Sequence, residues 1–251
     1  MTHGEKLYEG KAKILYATEE PALVIQYFKD DATAFNAQKR GTIMDKGICN
    51  NRISSALFTH LESRGVRTHF VRQLDDRSML VKRLEIVPLE VTIRNLVAGG
   101  MAKLLGIDEG RVLTPPVFEW HYKSDALNDP LINDDHILAM GWASAGELAH
   151  IRAESFRVND ALKAFFNQRQ LDLVDFKLEF GRSPQGILLG DEISPDTMRL
   201  WEHGTRRKLD KDRFRRDLGS VEEAYQEVLR RVLGDQEQPR PASARGVGTA
   251  T

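Results

Sequence analysis

The chain has 251 residues, 41% of them hydrophobic and 29% charged, enough to bury a sizeable core in one large or two small domains. With 36 basic against 37 acidic residues the formal charge is -1, so no global field marks it for a nucleic acid or a membrane surface, and any polyanion must be gripped locally. A single cysteine, Cys49, excludes an intramolecular disulfide and a cysteine-based zinc site and fits a cytoplasmic protein.

The N-terminal MTHGEKLYEGKAK carries charges where a signal peptide needs an apolar core, and no apolar run approaches membrane-spanning length, so neither targeting nor anchoring is expected. Strands are predicted near 14–17, 23–28, 69–73 and 78–83, with one helix over about 46–64. YEGKAK sets Gly10, Lys11 and Lys13 at the mouth of a strand. Glycine permits close backbone approach and lysines act as point charges on phosphates, although the spacing is not that of a P-loop. Taken alone, an exposed turn with solvated lysines is the simpler reading. Cys49, in GICNNR at a helix start with no histidine near it in sequence, reads as a buried small residue rather than a nucleophile.

A further strand is predicted over 85–94, where Glu90 and Arg94 share one face and lead into a basic turn, 94–103, containing Gly99 and Gly100. Arg94 suits a bidentate grip on phosphate or carboxylate; a plain salt bridge between Glu90 and Arg94 is an equal alternative. Pro115 and Pro116 open what reads as a long irregular loop through Asp135, and loops of that length inside a domain are often functional. His121, His136 and His150 lack metal-ligand spacing and read as structural or exposed. Helical spacing resumes over about 145–169, with Leu148, Ile151, Phe156, Val158, Leu162 and Phe165 on the apolar face.

The most informative stretch is 173–201. Val174, Phe176, Leu178 and Phe180 alternate with Asp175, Lys177 and Glu179, so one face packs and the other is free for chemistry. A polar turn over 181–186 leads to an apolar run, ILLG, that reads as a buried strand and ends in Asp191 and Glu192. Covered acids need a cation, and magnesium meets proteins through one or two carboxylates, which Glu179 and Asp191 can supply. Symmetric closure of this hairpin would pair Phe180 with Ile187 and set Asp191 opposite Phe176, on the apolar face; a one-residue bulge at Gly190 would bring it beside Glu179. RRKLDKDRFRR, 206–216, reads mostly as a solvated helix start, 211–233 as one or two helices, and the stretch from Gly234 as a disordered tail. The layout is α/β (α+β): a strand-rich lobe over 1–84, a larger α/β lobe over 85–233, and the tail over 234–251.

Taken in order, YEGKAK, LEVTIRNLVAGG, DALNDP, LVDFKLEFG and GDEISPDTMRLW, followed by LDKDRFRRDLG, resemble the SAICAR synthetase family of purine biosynthesis from about Leu7 to Leu233. The resemblance implies that fold, with ATP bound in the cleft between the lobes. It also implies an ATP-dependent ligation of L-aspartate to carboxyaminoimidazole ribonucleotide (CAIR), through an acyl-phosphate intermediate, giving SAICAR, ADP and phosphate. By the same resemblance Lys11, Ala12 and Lys13 cover ATP, the segment from Lys82 and Arg83 to Ile86 passes the adenine, and Glu179 and Asp191 hold Mg2+ against the nucleotide. Glu90, Arg94, Gly100 and Arg199 fall in the region that binds the ribonucleotide. Lys123, Asp129, Asp175, Lys177, Asp196 and Arg215 surround the imidazole carboxylate and the aspartate, with Lys177, Asp129 and Asp175 the catalytic candidates. Many relatives have Ser where this chain has Gly100; backbone N–H groups of the Gly-Gly turn can take the place of that hydroxyl. A homodimer is the implied assembly. The rival readings are a small-molecule kinase and a non-catalytic nucleotide sensor; a kinase would release ADP without aspartate, and a sensor would not need Lys177, Glu179 and Asp191 together.

Overall fold

A computed structural model describes residues 4–34 and 39–234 of the chain. In chain order its elements are β1 (Lys6–Glu9), β2 (Lys13–Ala17), β3 (Leu23–Phe28), β4 (Asp31–Ala34), β5 (Lys39–Thr42), α1 (Lys46–Ser63), β6 (Phe70–Gln73), β7 (Ser78–Lys82), β8 (Glu85–Leu96), α2 (Gly99–Leu105), β9 (Val112–Tyr122), β10 (Leu131–Ile132), α3 (Asp134–Ala139), α4 (Ala145–Asn167), β11 (Leu171–Ser183), β12 (Gly186–Leu189), β13 (Met198–Glu202), α5 (Asp212–Arg215) and α6 (Val221–Leu233). The tail expected after Gly234 lies outside the described residues.

The short alternating strands of the N-terminal part form an antiparallel sheet in the order β1-β2-β3-β7-β6, with β4 and β5 as a separate hairpin. Helix α1 covers the sheet with Cys49, Ile53, Leu57, Phe58 and Leu61, all fully buried with Val24, Phe28, Met79 and Val81. Cys49 is thus a core residue, and burial pushes its thiol up to about 12. The second sheet runs β10-β9-β8-β11-β12, with β13 also paired to β11. Helix α4 packs on this sheet; its start is fixed by a capping box in which Ser144 and Glu147 satisfy each other's backbone N–H groups. The predicted apolar face of α4 is buried apart from Phe156, which is half-buried and lies 6.0 Å from the Phe118 ring.

Two seams join the sheets. Arg83 and Leu84 link β7 directly to β8, and a parallel bridge pairs Thr68 with Leu189, His69 N–H donating to Leu189 O at 2.8 Å. One hydrophobic core passes through both, from Val24 and Met79 to Val91, Phe176 and Leu178.

Several expectations need correction. The stretch after Pro115 is irregular only in part. Both prolines lie inside β9, at the irregularity where Arg94 pairs with Val117 but Leu96 with Val112, so the N–H groups proline lacks are not missed by the ladder. The expected loop does follow Tyr122, broken by one turn of 3-10 helix at Asp125–Leu127 and by the short β10. The basic turn is shorter than expected, because β8 continues to Leu96 and α2 begins at Gly99. The β11–β12 turn is also tighter: Ser183 pairs with Gly186 and Phe180 with Leu189, two residues beyond the symmetric register. Gly190 N–H therefore donates to Glu179 O at 2.9 Å, and no bulge is present there. Asp191 leaves the strand with φ 60°, and this left-handed step, not a slip, governs its placement. Val174 breaks the alternation, since an irregularity between Leu173 and Asp175 in the β11–β13 ladder sends it to a small cluster with Ala98 and Trp201.

Candidate active site

Period-two alternation on three neighbouring strands builds one polar face. Glu90 lies between His121 and Glu179, Thr92 between Glu119 and Lys177, and Arg94 between Val117 and Asp175, with Arg199 of β13 beyond Asp175. The opposite faces of these strands carry Val91, Ile93, Trp120, Phe176 and Leu178 into the core, and that burial holds the register.

At one end of the face acids and lysines interleave. Lys13 Nζ pairs with Asp191 and lies 2.9 Å from Glu192 Oε1; Lys123 Nζ lies 2.5 Å from Glu179 Oε1; Lys177 pairs with Glu90. Burial and the charge of Asp191 push Glu179 above the ordinary glutamate range. Against the cost of its own burial, Asp191 is held below the carboxylate range by Lys13, whose ammonium is in turn stabilised, despite burial, by Asp191, Glu192 and Glu179. Two covered carboxylates that repel each other make a donor set suited to a hard dication. Among the described residues no group of three or more His, Cys, Asp or Glu is placed to hold a metal ion.

At the other end, guanidinium groups surround buried acids. Arg94 donates to Asp175 Oδ2 and to Glu119 Oε2, each at 2.8 Å; Arg199 donates to the same Asp175 oxygen at 2.9 Å and to Asp212 Oδ2 at 2.9 Å; Arg215 donates to Asp212 Oδ1 at 2.8 Å. Glu90 and Arg94 thus find other partners, and the Glu90–Arg94 salt bridge is not what forms. The guanidiniums of Arg199 and Arg215 hold Asp212 at about 2 despite its burial. A cavity of about 240 Å³ opens between the two ends, lined among others by Glu90, Arg94, Asp129, Asp175, Lys177 and Asp196. Arg199 and Arg215 line it too.

The remaining candidates fall around this face. Lys11 is exposed and pairs with Asp125 at 2.6 Å, and Ala12 O accepts from Lys29 N–H at 2.8 Å. Lys82 Nζ donates to Thr68 O at 3.1 Å, and Arg83 is exposed with its N–H on Ala22 O at 2.8 Å. Leu84, beside them, packs close to Gly181 and Gly190, where a Cβ would lie 2.7 and 2.9 Å from its side chain. Asp129 has φ 47° and accepts from Ser124 N–H at 2.9 Å. Gly99, at φ 54°, lies so close to the Arg199 guanidinium that a Cβ there would come within 2.4 Å of Nη2; around Gly100, which is exposed, a Cβ would meet nothing within 4 Å.

Other residues here carried no signal in the sequence. His121, set aside as structural or exposed, lines the cavity. Glu119, Asp212 and Lys46 enter the ion-pair network, and Glu192, read from the sequence only as a covered acid beside Asp191, pairs with Lys13. The 206–216 segment, expected to be largely solvated, buries Leu209, Asp210 and Asp212 and fastens Lys208 to Glu109 at 3.0 Å. Its alternation of Asp with Lys and Arg was the available clue.

A family model described as SAICAR synthetase matches residues 6–232. The chain is 57% identical over 234 residues to the phosphoribosylaminoimidazole-succinocarboxamide synthase of Clostridium acetobutylicum, covering 93% of this chain and 100% of that one. It superposes with TM-score 0.90 on the crystal structure of the same-named enzyme from Ehrlichia chaffeensis, at 47% identity over 91% of this chain and 98% of the other. A SAICAR synthetase in complex with ADP matches with TM-score 0.89 at 43% identity, over 93% and 99%.

Proposed function

The chain belongs to the SAICAR synthetase family, and from that premise we propose how its charged side chains divide the work. The protein is an ATP-dependent ligase of purine biosynthesis, joining L-aspartate to CAIR to give SAICAR, ADP and phosphate. In our reading ATP lies in the cleft between a strand-rich lobe, 1–84, and the lobe over 85–233, beneath Lys11, Ala12 and Lys13 and beside the segment from Lys82 and Arg83 onward. Glu179 and Asp191 would hold a magnesium ion, which when bound supplies positive charge to the triphosphate. The observation that carries this division is the single sheet face with Glu179 at one end, where the charge of Asp191 just beyond the strand acts on it, and the Arg94–Asp175–Arg199 cluster at the other.

A carboxylate is a poor electrophile. The CAIR carboxylate oxygen therefore attacks the γ-phosphorus, the bond to the β-phosphate oxygen breaks, and ADP leaves. The neutral amine of aspartate then attacks the acyl carbon, the C–O bond to phosphate breaks, and the amide forms. Lys13, Lys123 and Lys177 sit where they can neutralise the transferring phosphoryl group. Arg94, Arg199 and Arg215, with Glu90 and the backbone at Gly100, suit the ribonucleotide and its phosphate. Amide formation needs a proton acceptor, and Asp129 is the better candidate, because both oxygens of Asp175 are engaged by guanidinium groups. Asp129→Asn with unchanged rate and pH profile would remove it.

We also assign the protein to the cytoplasm as a homodimer. The lone, buried Cys49 is at ease in a reducing compartment, and no described helix is long and apolar enough to cross a membrane. Sedimentation velocity tests the dimer. The activity is tested by measuring ADP release with magnesium, ATP and CAIR, with and without L-aspartate. Release that requires aspartate supports the ligase; release indifferent to it would favour a kinase.

A further inference from the structure

Asp196 lines the cavity, but both of its oxygens are held from behind. The Tyr225 hydroxyl on α6 donates to Oδ1 at 2.5 Å, and Lys46 Nζ, at the start of α1, donates to Oδ2 at 2.7 Å. Lys211 Nζ lies 3.6 Å from Oδ2, and the Asp196 N–H donates to Ser194 Oγ at 3.1 Å. Lys46 is 0% and Tyr225 1% exposed. Neither stands on the sheet face, and neither lines the cavity.

A fully buried lysine is costly unless its charge is met, and two helices packed only for their apolar contacts would have no need of an ammonium and a phenol aimed at one carboxylate. A carboxylate offers about four acceptor sites, so the two bonds from behind leave two for a ligand. Despite its burial, the charges of Lys211 and Lys46 and the bonds from Lys46 and Tyr225 hold Asp196 far below the carboxylate range. Burial and the neighbouring Asp196 charge keep the Tyr225 phenol protonated, and so a donor. Asp196 is therefore an acceptor only, with its direction set by α1 and α6. CAIR carries an exocyclic amine on its imidazole ring, a donor that such an acceptor recognises.

We propose that Lys46 and Tyr225 are positioning residues of the ligase, fixing Asp196 as the hydrogen-bond acceptor for the exocyclic amine of CAIR. This rests on the function proposed above. The test is calorimetric titration of CAIR and, separately, of ADP into wild type, Tyr225→Phe, Asp196→Asn and the double variant. Tyr225→Phe removes one hydroxyl at nearly constant volume. It should weaken CAIR binding about tenfold while ADP binding stays within about twofold, and should add nothing once Asp196→Asn is present. Parallel losses for CAIR and ADP, additivity with Asp196→Asn, or unchanged CAIR affinity would each overturn the proposal. If Tyr225→Phe does not fold, Lys46→Gln, which keeps a donor and loses the charge, is read in the same way. A wild type that binds no CAIR removes the ligase reading and this inference with it, whereas a wild type that binds CAIR beside variants that do not discriminate overturns the inference alone.

Discussion

Arg94 and Asp175 face each other across the paired strands β8 and β11, joined by a 2.8 Å hydrogen bond from Nη1 to Oδ2 at a site where both residues are under 10% exposed. Arg199 donates to the same oxygen at 2.9 Å, so one carboxylate orients two guanidinium groups toward the cavity. Replacing Asp175 by Asn removes the charge, while Arg94 keeps Glu119 and Arg199 keeps Asp212. The expected stability loss is therefore moderate, about 1.5–3 kcal/mol, in the range of one charged hydrogen bond. CAIR affinity should fall more than ADP affinity. Chemical denaturation and paired titrations check this, and an equal loss of both affinities would contradict it.

Glu179 and Asp191 repel each other in the ligand-free protein. Glu179→Gln relieves that repulsion, so the ligand-free variant should melt no lower than wild type, while magnesium-supported kcat/KM falls by about 10²–10³, as when a charge-stabilising group is removed. Chelation of magnesium should abolish ADP release by wild type. A variant that melts several degrees lower, or that keeps its rate, would refute this account.

Gly99 and Gly100 should respond differently to added side chains. At Gly99 a Cβ would press on the Arg199 guanidinium and the residue would be held at φ 54°, a conformation costing a non-glycine residue about 1–2 kcal/mol. Gly99→Ala should lower both the melting temperature and CAIR affinity. Gly100→Ser has open space, should leave stability unchanged, and should bind CAIR at least as tightly as wild type. The reverse ranking by thermal melting would show that the close approach at Gly99 is not limiting.

Glu109 fastens the segment after α2 to the C-terminal part of the chain. It accepts from Lys208 and Arg216, each at 3.0 Å, and from Gly99 N–H at 3.2 Å. Against partial burial, these bonds hold its pKa at about 2. A depressed carboxylate stabilises the fold above its unfolded value and loses that contribution as pH falls toward the folded one. Glu109→Gln should therefore be less stable than wild type at pH 7, with the gap closing between about pH 4.5 and about pH 2. Denaturation midpoints across that range decide it; a gap independent of pH would mean the ion pairs contribute nothing.

Short-range patterns were legible where a single strand or helix face sufficed. The 23–28 strand is found at Leu23–Phe28, the first helix at Lys46–Ser63 and the long helix at Ala145–Asn167, because each buries one periodic face. The part of the expected loop from Pro115 to Tyr122 was misread because proline argues against a strand unless an irregularity spares the ladder, and that irregularity exists only in the pairing with β8. Lys46 and Tyr225 gave no signal, since a polar residue at a helix start and a tyrosine on an amphipathic helix look ordinary until the helices meet.

The sequence by itself determined the chemistry on offer: acids and bases alternating with core residues along 174–180, a glycine-lysine entrance near 10–13, and the family motifs that name the reaction class. Only the tertiary structure decided which charges meet. Asp191 reaches the Glu179 neighbourhood through a hairpin register two residues from the symmetric one and a left-handed step, and Asp196 is held by residues 150 and 29 positions away. The physical reason is range. Alternation and helical period are set by neighbours along the chain, whereas register and ion-pair partners follow from which apolar faces bury together.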